Sequence, residues 1–177
     1  EFPVGQCLAN LASKLALPYS SRRLNSQENL SLPIGMSAMP LAIIAVSGES
    51  DDNRGHIAEW IELLIEQDIP LVLLSSAKVF TYNEVGSLED DEMTGNAELI
   101  ALENQARRQR RHLIVRANQP FSLISNDFAV EILAKARDQD CLALDNLIRI
   151  APTPADDIAD VIHAALQQIG CDESLWG

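Results

Sequence analysis

Basic residues are scarce in this chain of 177 residues: 13 lysines and arginines stand against 26 aspartates and glutamates, a formal net charge of −13. A protein with that summed field repels nucleic acid and anionic membrane surfaces, so neither is expected as a partner. Cysteines are few, and Cys7, Cys141 and Cys171 are odd in number and far apart. With no Cys-x-x-Cys spacing, a disulfide framework and a thiolate zinc site are both set aside, and reduced thiols in the cytoplasm are the expectation. His56, His112 and His163 stand apart as well, so no metal is expected. No apolar run approaches the ~20 residues of a membrane span, and Glu1-Phe2-Pro3 does not open an export signal. Aromatics make up 5% of the chain, and its tyrosines are Tyr19 and Tyr82 alone, a shortage that matters below.

What is present is ordinary globular material, 47% apolar and 22% charged, in a length that suits one core. We expect one domain over residues 1–170 and a loosely held tail over 171–177. Leu8, Leu11, Ala12 and Leu15 follow helical spacing within 5–16, Leu17 to Arg22 is a short candidate strand, and a polar loop follows. Leu41 to Val46 is an unbroken apolar run closed by Ser47-Gly48, the pattern of a strand buried on both faces of a parallel sheet. Ile57, Trp60, Ile61, Leu64 and Ile65 repeat at helical spacing until Asp68 and Pro70, and Leu71 to Leu74 is a second buried strand ending at Ser75-Ser76.

The acidic run Glu89 to Glu92 precedes a predicted helix over 94–111, whose arginines at 107, 108, 110 and 111 suit its negative end. His112 to Arg116 is a third strand, Phe128 to Ala136 a further helix, and Leu147 to Ile150 a fourth strand. Thr153 then caps a helix with Pro154 at its first position and Asp156 and Asp157 in its first turn. Its predicted buried stripe is Ile158, Val161, Ile162, Ala165, Leu166 and Ile169. Alternating strands and helices with short connections predict an α/β fold with a mainly parallel sheet covered by helices on both faces.

Ligands of such sheets bind beyond the carboxyl ends of the strands, here Ser47-Gly48, Ser75-Ser76 and Ala117-Asn118. Around these positions Leu73-Leu74-Ser75-Ser76-Ala77-Lys78-Val79-Phe80, Tyr82-Asn83-Glu84, Leu88 to Asp91, Val115-Arg116-Ala117, Asn126-Asp127-Phe128 and Ala151-Pro152-Thr153-Pro154 to Ala159 follow in order. In that order they resemble the extended short-chain dehydrogenase/reductases, most closely the dTDP-4-dehydrorhamnose reductase branch, over most of Leu41 to Leu166. The resemblance implies a Rossmann-like doubly wound fold, a bound NADP, a nucleotide-sugar substrate, and pairing through helices such as those carrying Trp60 or Leu99, as a homodimer or with another protein.

The departures concern the chemistry. The family transfers hydride with a Tyr-x-x-x-Lys on one helix face, the phenol handling the proton and the lysine lowering its pKa. Thr94 and Glu98 stand at the matching positions, and no other pairing of Tyr19 or Tyr82 with Lys14, Lys78 or Lys135 restores the spacing. A threonine hydroxyl is a far weaker acid than a phenol, and Glu98 would raise a neighbouring acid's pKa. Ser76 matches the family's carbonyl-touching hydroxyl. Of the glycine-rich loop that cradles a pyrophosphate, only Gly5 has a counterpart. No strand precedes it, so either a first strand is missing before Glu1 or Glu1-Phe2 is a remnant of cloning. Arg22 and Arg23 match family arginines for the NADPH 2′-phosphate, or are solvated loop residues; Ser47 and Ser75 face a ligand or cap the backbone.

Two functional expectations follow from the resemblance. One is a degenerate relative that binds a nucleotide or nucleotide sugar, or acts as an interaction subunit, without hydride transfer. The other is an active NADPH-dependent reductase in which Ser76 polarises the carbonyl while water or Thr94 relays the proton.

Overall fold

Leu71 to Ser75 form the middle of a parallel sheet, and each of the five is buried, as expected of an apolar run with neighbours on both edges. The computed structural model describes residues 3–15, 41–45, 54–81, 86–122, 128–138, 141, 143 and 151–177. They fall into two units, one within Glu1–Arg22 and Ala117–Gln167, the other within Arg23–Arg116 and Gln168–Gly177.

The second unit holds the sheet. Strands β1 (Ala42–Ala45), β2 (Leu71–Ser75) and β3 (His112–Arg116) lie in the order β1-β2-β3, all parallel, with Ala42 opposite Leu71 and Leu71 opposite His112. Helices α2 (Arg54–Glu66) and α3 (Ala97–Ala106) connect them. The order strand, helix, strand, helix, strand is the α/β arrangement expected, a small Rossmann-like parallel sheet.

Side chains alternate across a strand, so Leu71 and Leu73 share one face and Val72 and Leu74 the other. The first pair packs with Ile44, Ile57, Ile61, Leu64, Leu99, Leu102 and Ala106 in a core between the sheet and the two helices. Val72 and Leu74 are equally buried, so both faces of the middle strand are covered. Fully burying such side chains contributes about 1.5–3 kcal/mol each, which makes this strand the energetic centre of the unit. Two glutamines tie the helices together. Gln105 Nε2 donates to the Ala58 carbonyl and to Glu62 Oε1, both at 2.8 Å, and buried Gln109 donates to the Ile69 carbonyl at 2.8 Å.

Helix α3 is shorter than the 94–111 predicted. Asn96 caps it, its side-chain oxygen accepting from the backbone N–H groups of Glu98 and Leu99, and Arg107 closes it. The acidic run is therefore loop, and the arginines pair sideways: Arg108 with Glu62, and Arg111 with Asp68 at 3.0 Å. His112 is buried with Nδ1 2.6 Å from the Gln109 carbonyl; a carbonyl only accepts, so that nitrogen carries the proton.

In the first unit, α1 (Pro3–Lys14) buries Val4 and Cys7, with Leu8, Leu11 and Ala12 of the expected stripe half-buried, while Leu15, past the helix end, is 45% exposed. Strands β4 (Pro120–Phe121) and β5 (Thr153–Pro154) pair in parallel. Helix α4 (Phe128–Asp138) buries no residue. Helix α5 (Ala155–Cys171) begins one residue later than predicted because Pro154 pairs with Phe121, and the Thr153 hydroxyl donates to the Asn118 and Ala151 carbonyls. Its buried stripe is Ala155, Ile158, Ala159, Ile162 and Ile169, and Val161 is exposed. Residues 168–177 belong to the second unit, where Asp172 caps a single 3₁₀ turn over Glu173–Leu175 and the Gly177 N–H reaches the His112 carbonyl at 3.2 Å. The predicted strands at 17–22 and 147–150 lie outside the described residues. No described helix is long and apolar enough to cross a membrane.

Candidate functional site

The carboxyl ends of β2 and β3 bring together Ser75, Ser76 and Arg116. Ser75 lies opposite Arg116 in the sheet register, so their side chains leave on the same face, toward α3. Arg116 is the hub. Its Nε meets Glu103 Oε1 at 3.1 Å and Oε2 at 3.2 Å, and its Nη2 meets Oε2 at 2.7 Å. Glu103 is fully buried, and the Arg116 side chain is 12% exposed. A charge so desolvated persists only when paired and hydrogen-bonded, and this fork geometry supplies both. The hydrogen bond to Glu103 holds the guanidinium's pKa above its ordinary range. Beneath it, the Phe80 ring centroid lies 4.9 Å from the guanidinium carbon, a cation–π contact.

The segment before α3 crosses these strand ends. Arg116 Nη1 donates to the Glu89 carbonyl at 3.1 Å, and Nη2 approaches the Met93 sulfur at 3.3 Å. Gly95 donates to the Val79 carbonyl and Asn96 to that of Lys78, both at 2.8 Å. A Cβ on Gly95 would strike the Lys78 carbonyl oxygen and lie 2.7 Å from the Val79 carbonyl carbon, so only glycine permits this approach.

The predicted catalytic positions are placed as follows. Ser76 is buried, and its hydroxyl accepts from the Lys78 N–H at 3.2 Å, capping the 3₁₀ turn over Ala77–Val79. Thr94 lies before the cap of α3, and its hydroxyl donates to Thr81 Oγ1 at 3.1 Å. Glu98 is in the first turn of the helix, so the two do not share a helix face. Among the predicted cofactor positions, Ser75 is buried and its hydroxyl has no hydrogen-bond partner among the described residues. Gly5 sits within α1, in the other unit, with open space where a Cβ would be. Arg22, Arg23 and Ser47 lie outside the described residues.

Sequence reasoning did not single out Arg116, Glu103 or Gly95 as parts of one cluster. The signal for the pair was a lone glutamate on the apolar face of a helix, four residues after Leu99 and three before Ala106.

The first unit has a groove of about 480 Å³ lined by Cys7, Asn10, Lys14, Asp156 and Asp160 among others. Burial, with a hydrogen bond to Asp156, pushes the Cys7 thiol from its ordinary 9.0 up to about 11, so it is a poor nucleophile. Among the described residues no group of three His, Cys, Asp or Glu side chains is placed to hold a metal. Compared with protein-family models and with curated proteins, the chain matches none.

Proposed function

We propose that this protein works without hydride transfer, as a binding subunit on a reductase-like α/β framework that contacts a nucleotide, a nucleotide sugar or a protein partner. The observation that carries the reading is the position of Thr94. It precedes the helix cap and spends its hydroxyl on Thr81, so Thr94 and Glu98 do not present a proton donor and its partner on one face. Ser76 accepts a backbone hydrogen bond from Lys78 and keeps its own proton, so of the catalytic set a reductase uses only a lone serine hydroxyl stands at these strand ends.

The test combines turnover and binding. With NADPH and a dTDP-4-keto sugar, the protein is expected to oxidise no cofactor beyond the protein-free rate. Steady turnover abolished by Ser76→Ala would overturn the reading. Thermal unfolding with NADPH, NADH and dTDP-sugars then separates the partner classes, because a ligand that favours the folded state raises Tm by mass action. A rise assigns the nucleotide class, and no rise assigns the protein-partner class.

A further inference from the structure

Arg116 divides its donors between two kinds of acceptor. One edge of the guanidinium is committed to the buried Glu103 carboxylate. Among the described residues, the outer edge bonds to the Glu89 carbonyl and the Met93 thioether, and the Glu89 carboxylate acts on it through space. A thioether is a weak acceptor and the carbonyl a neutral one, whereas an anion on that edge would bring full opposite charge to the guanidinium. Beside Arg116, on the same sheet face, Ser75 is 3% exposed and its hydroxyl has no partner among the described residues. A buried hydroxyl left in that state carries an uncompensated desolvation cost. Meanwhile residues 86–92 are exposed and outside helix or strand, with Leu88 75% exposed and four acids at 89–92.

We propose that residues 86–93 are a displaceable cover over an anion site at the ends of β2 and β3, formed by the outer edge of Arg116 and the Ser75 hydroxyl, whose ligand is a phosphate group. Phosphate fits the donor set: two oxygens take the guanidinium edge and a third accepts from Ser75, whereas a carboxylate's two oxygens are used by the guanidinium alone. While closed, the cover supplies competing acceptors, and Glu89, Asp90, Asp91 and Glu92 repel a dianion. Its displacement removes both. The Glu103 carboxylate offsets the guanidinium charge before the ligand arrives, which holds the affinity below that of an unpaired arginine. The proposal deepens the non-catalytic reading by giving the strand ends a ligand chemistry; hydride transfer is not its readout, so the two fail separately.

Hydrogen exchange with mass spectrometry on the whole chain, titrated with inorganic phosphate against sodium chloride at equal ionic strength, tests it. Phosphate is expected to speed exchange across 86–93 while α3 and β3 stay protected. Met93→Ala, which removes one competing acceptor, lowers the phosphate concentration needed, and Ser75→Ala raises it about tenfold, the loss of one hydrogen bond to a charged group. Arg116→Lys abolishes the response; should that variant unfold, Ser75→Ala, a change of one atom, still decides. An unchanged exchange pattern in phosphate, or a response indifferent to Ser75→Ala, overturns the proposal.

Discussion

The ends of β2 and β3 and the helix α4 are built on opposite principles. At the strand ends a buried ion pair, a cation–π contact and a glycine pressed against backbone hold one arrangement. Helix α4 is amphipathic in sequence yet buries none of its side chains, and Leu133 is 50% exposed. Helices gain most of their stability in proteins from packing an apolar face. The contrast teaches that apolar pattern alone does not locate the rigid part of this chain; the strand-end cluster is held by contacts among residues distant in sequence.

Substitutions sharpen that contrast. The largest effect is expected from Glu103→Ala, which strands the Arg116 charge and should cost about 3–5 kcal/mol in urea unfolding. A loss under about 1 kcal/mol would place the pair outside the structural core, at the level of a surface ion pair. Close behind, Leu73→Ala should cost about 2–5 kcal/mol, whereas Leu133→Ala on α4 should change stability by no more than about 0.5 kcal/mol. Equal losses at both sites would erase the difference between the two regions.

Glycines give a finer test. Gly95→Ala forces a Cβ into the Lys78–Phe80 backbone and should cost about 1–3 kcal/mol, as overpacking does. Gly5→Ala, in a helix with open space around it, should stabilise by about 0.5–1 kcal/mol.

A further effect is pH-dependent and belongs to Cys7. Its folded-state pKa is raised from 9.0 to about 11, so folding favours the protonated thiol. That stability is fully present below pH 9.0 and is lost as pH rises toward about 11. Wild type should therefore lose stability relative to Cys7→Ala over that interval, as read by paired urea titrations. A constant difference would show the thiol to be unshifted.

Much of the sheet was legible because its strands are short apolar runs with turn signals behind them; the span His112–Arg116 is as read, and β2 extends the read run by Ser75. Helix α3 was misjudged at both ends for a physical reason. The acids at 89–92 lie ahead of the expected start, on the side the helix dipole favours, but Asn96 satisfies the amide groups directly and sets the start. On α1 the expected stripe is half-buried at Leu8, Leu11 and Ala12, and burial is deepest at Val4 and Cys7, where a buried thiol acts as a small apolar side chain. Of the candidate site, the strand-end serines followed from the rule for parallel sheets. Their use was not legible: Ser76 caps a turn and Ser75 lacks a partner only because of what the fold places around them. The Arg116–Glu103 pair joins residues on different elements, and no spacing rule reaches across that distance.

The proposed absence of hydride transfer at these strand ends has one direct test. Incubation with NADPH deuterated at the transferable position and a dTDP-4-keto sugar, followed by mass spectrometry of the sugar, tests it directly. Sugar recovered without deuterium is the predicted result; deuterium at its carbinol carbon, dependent on the protein, would contradict it.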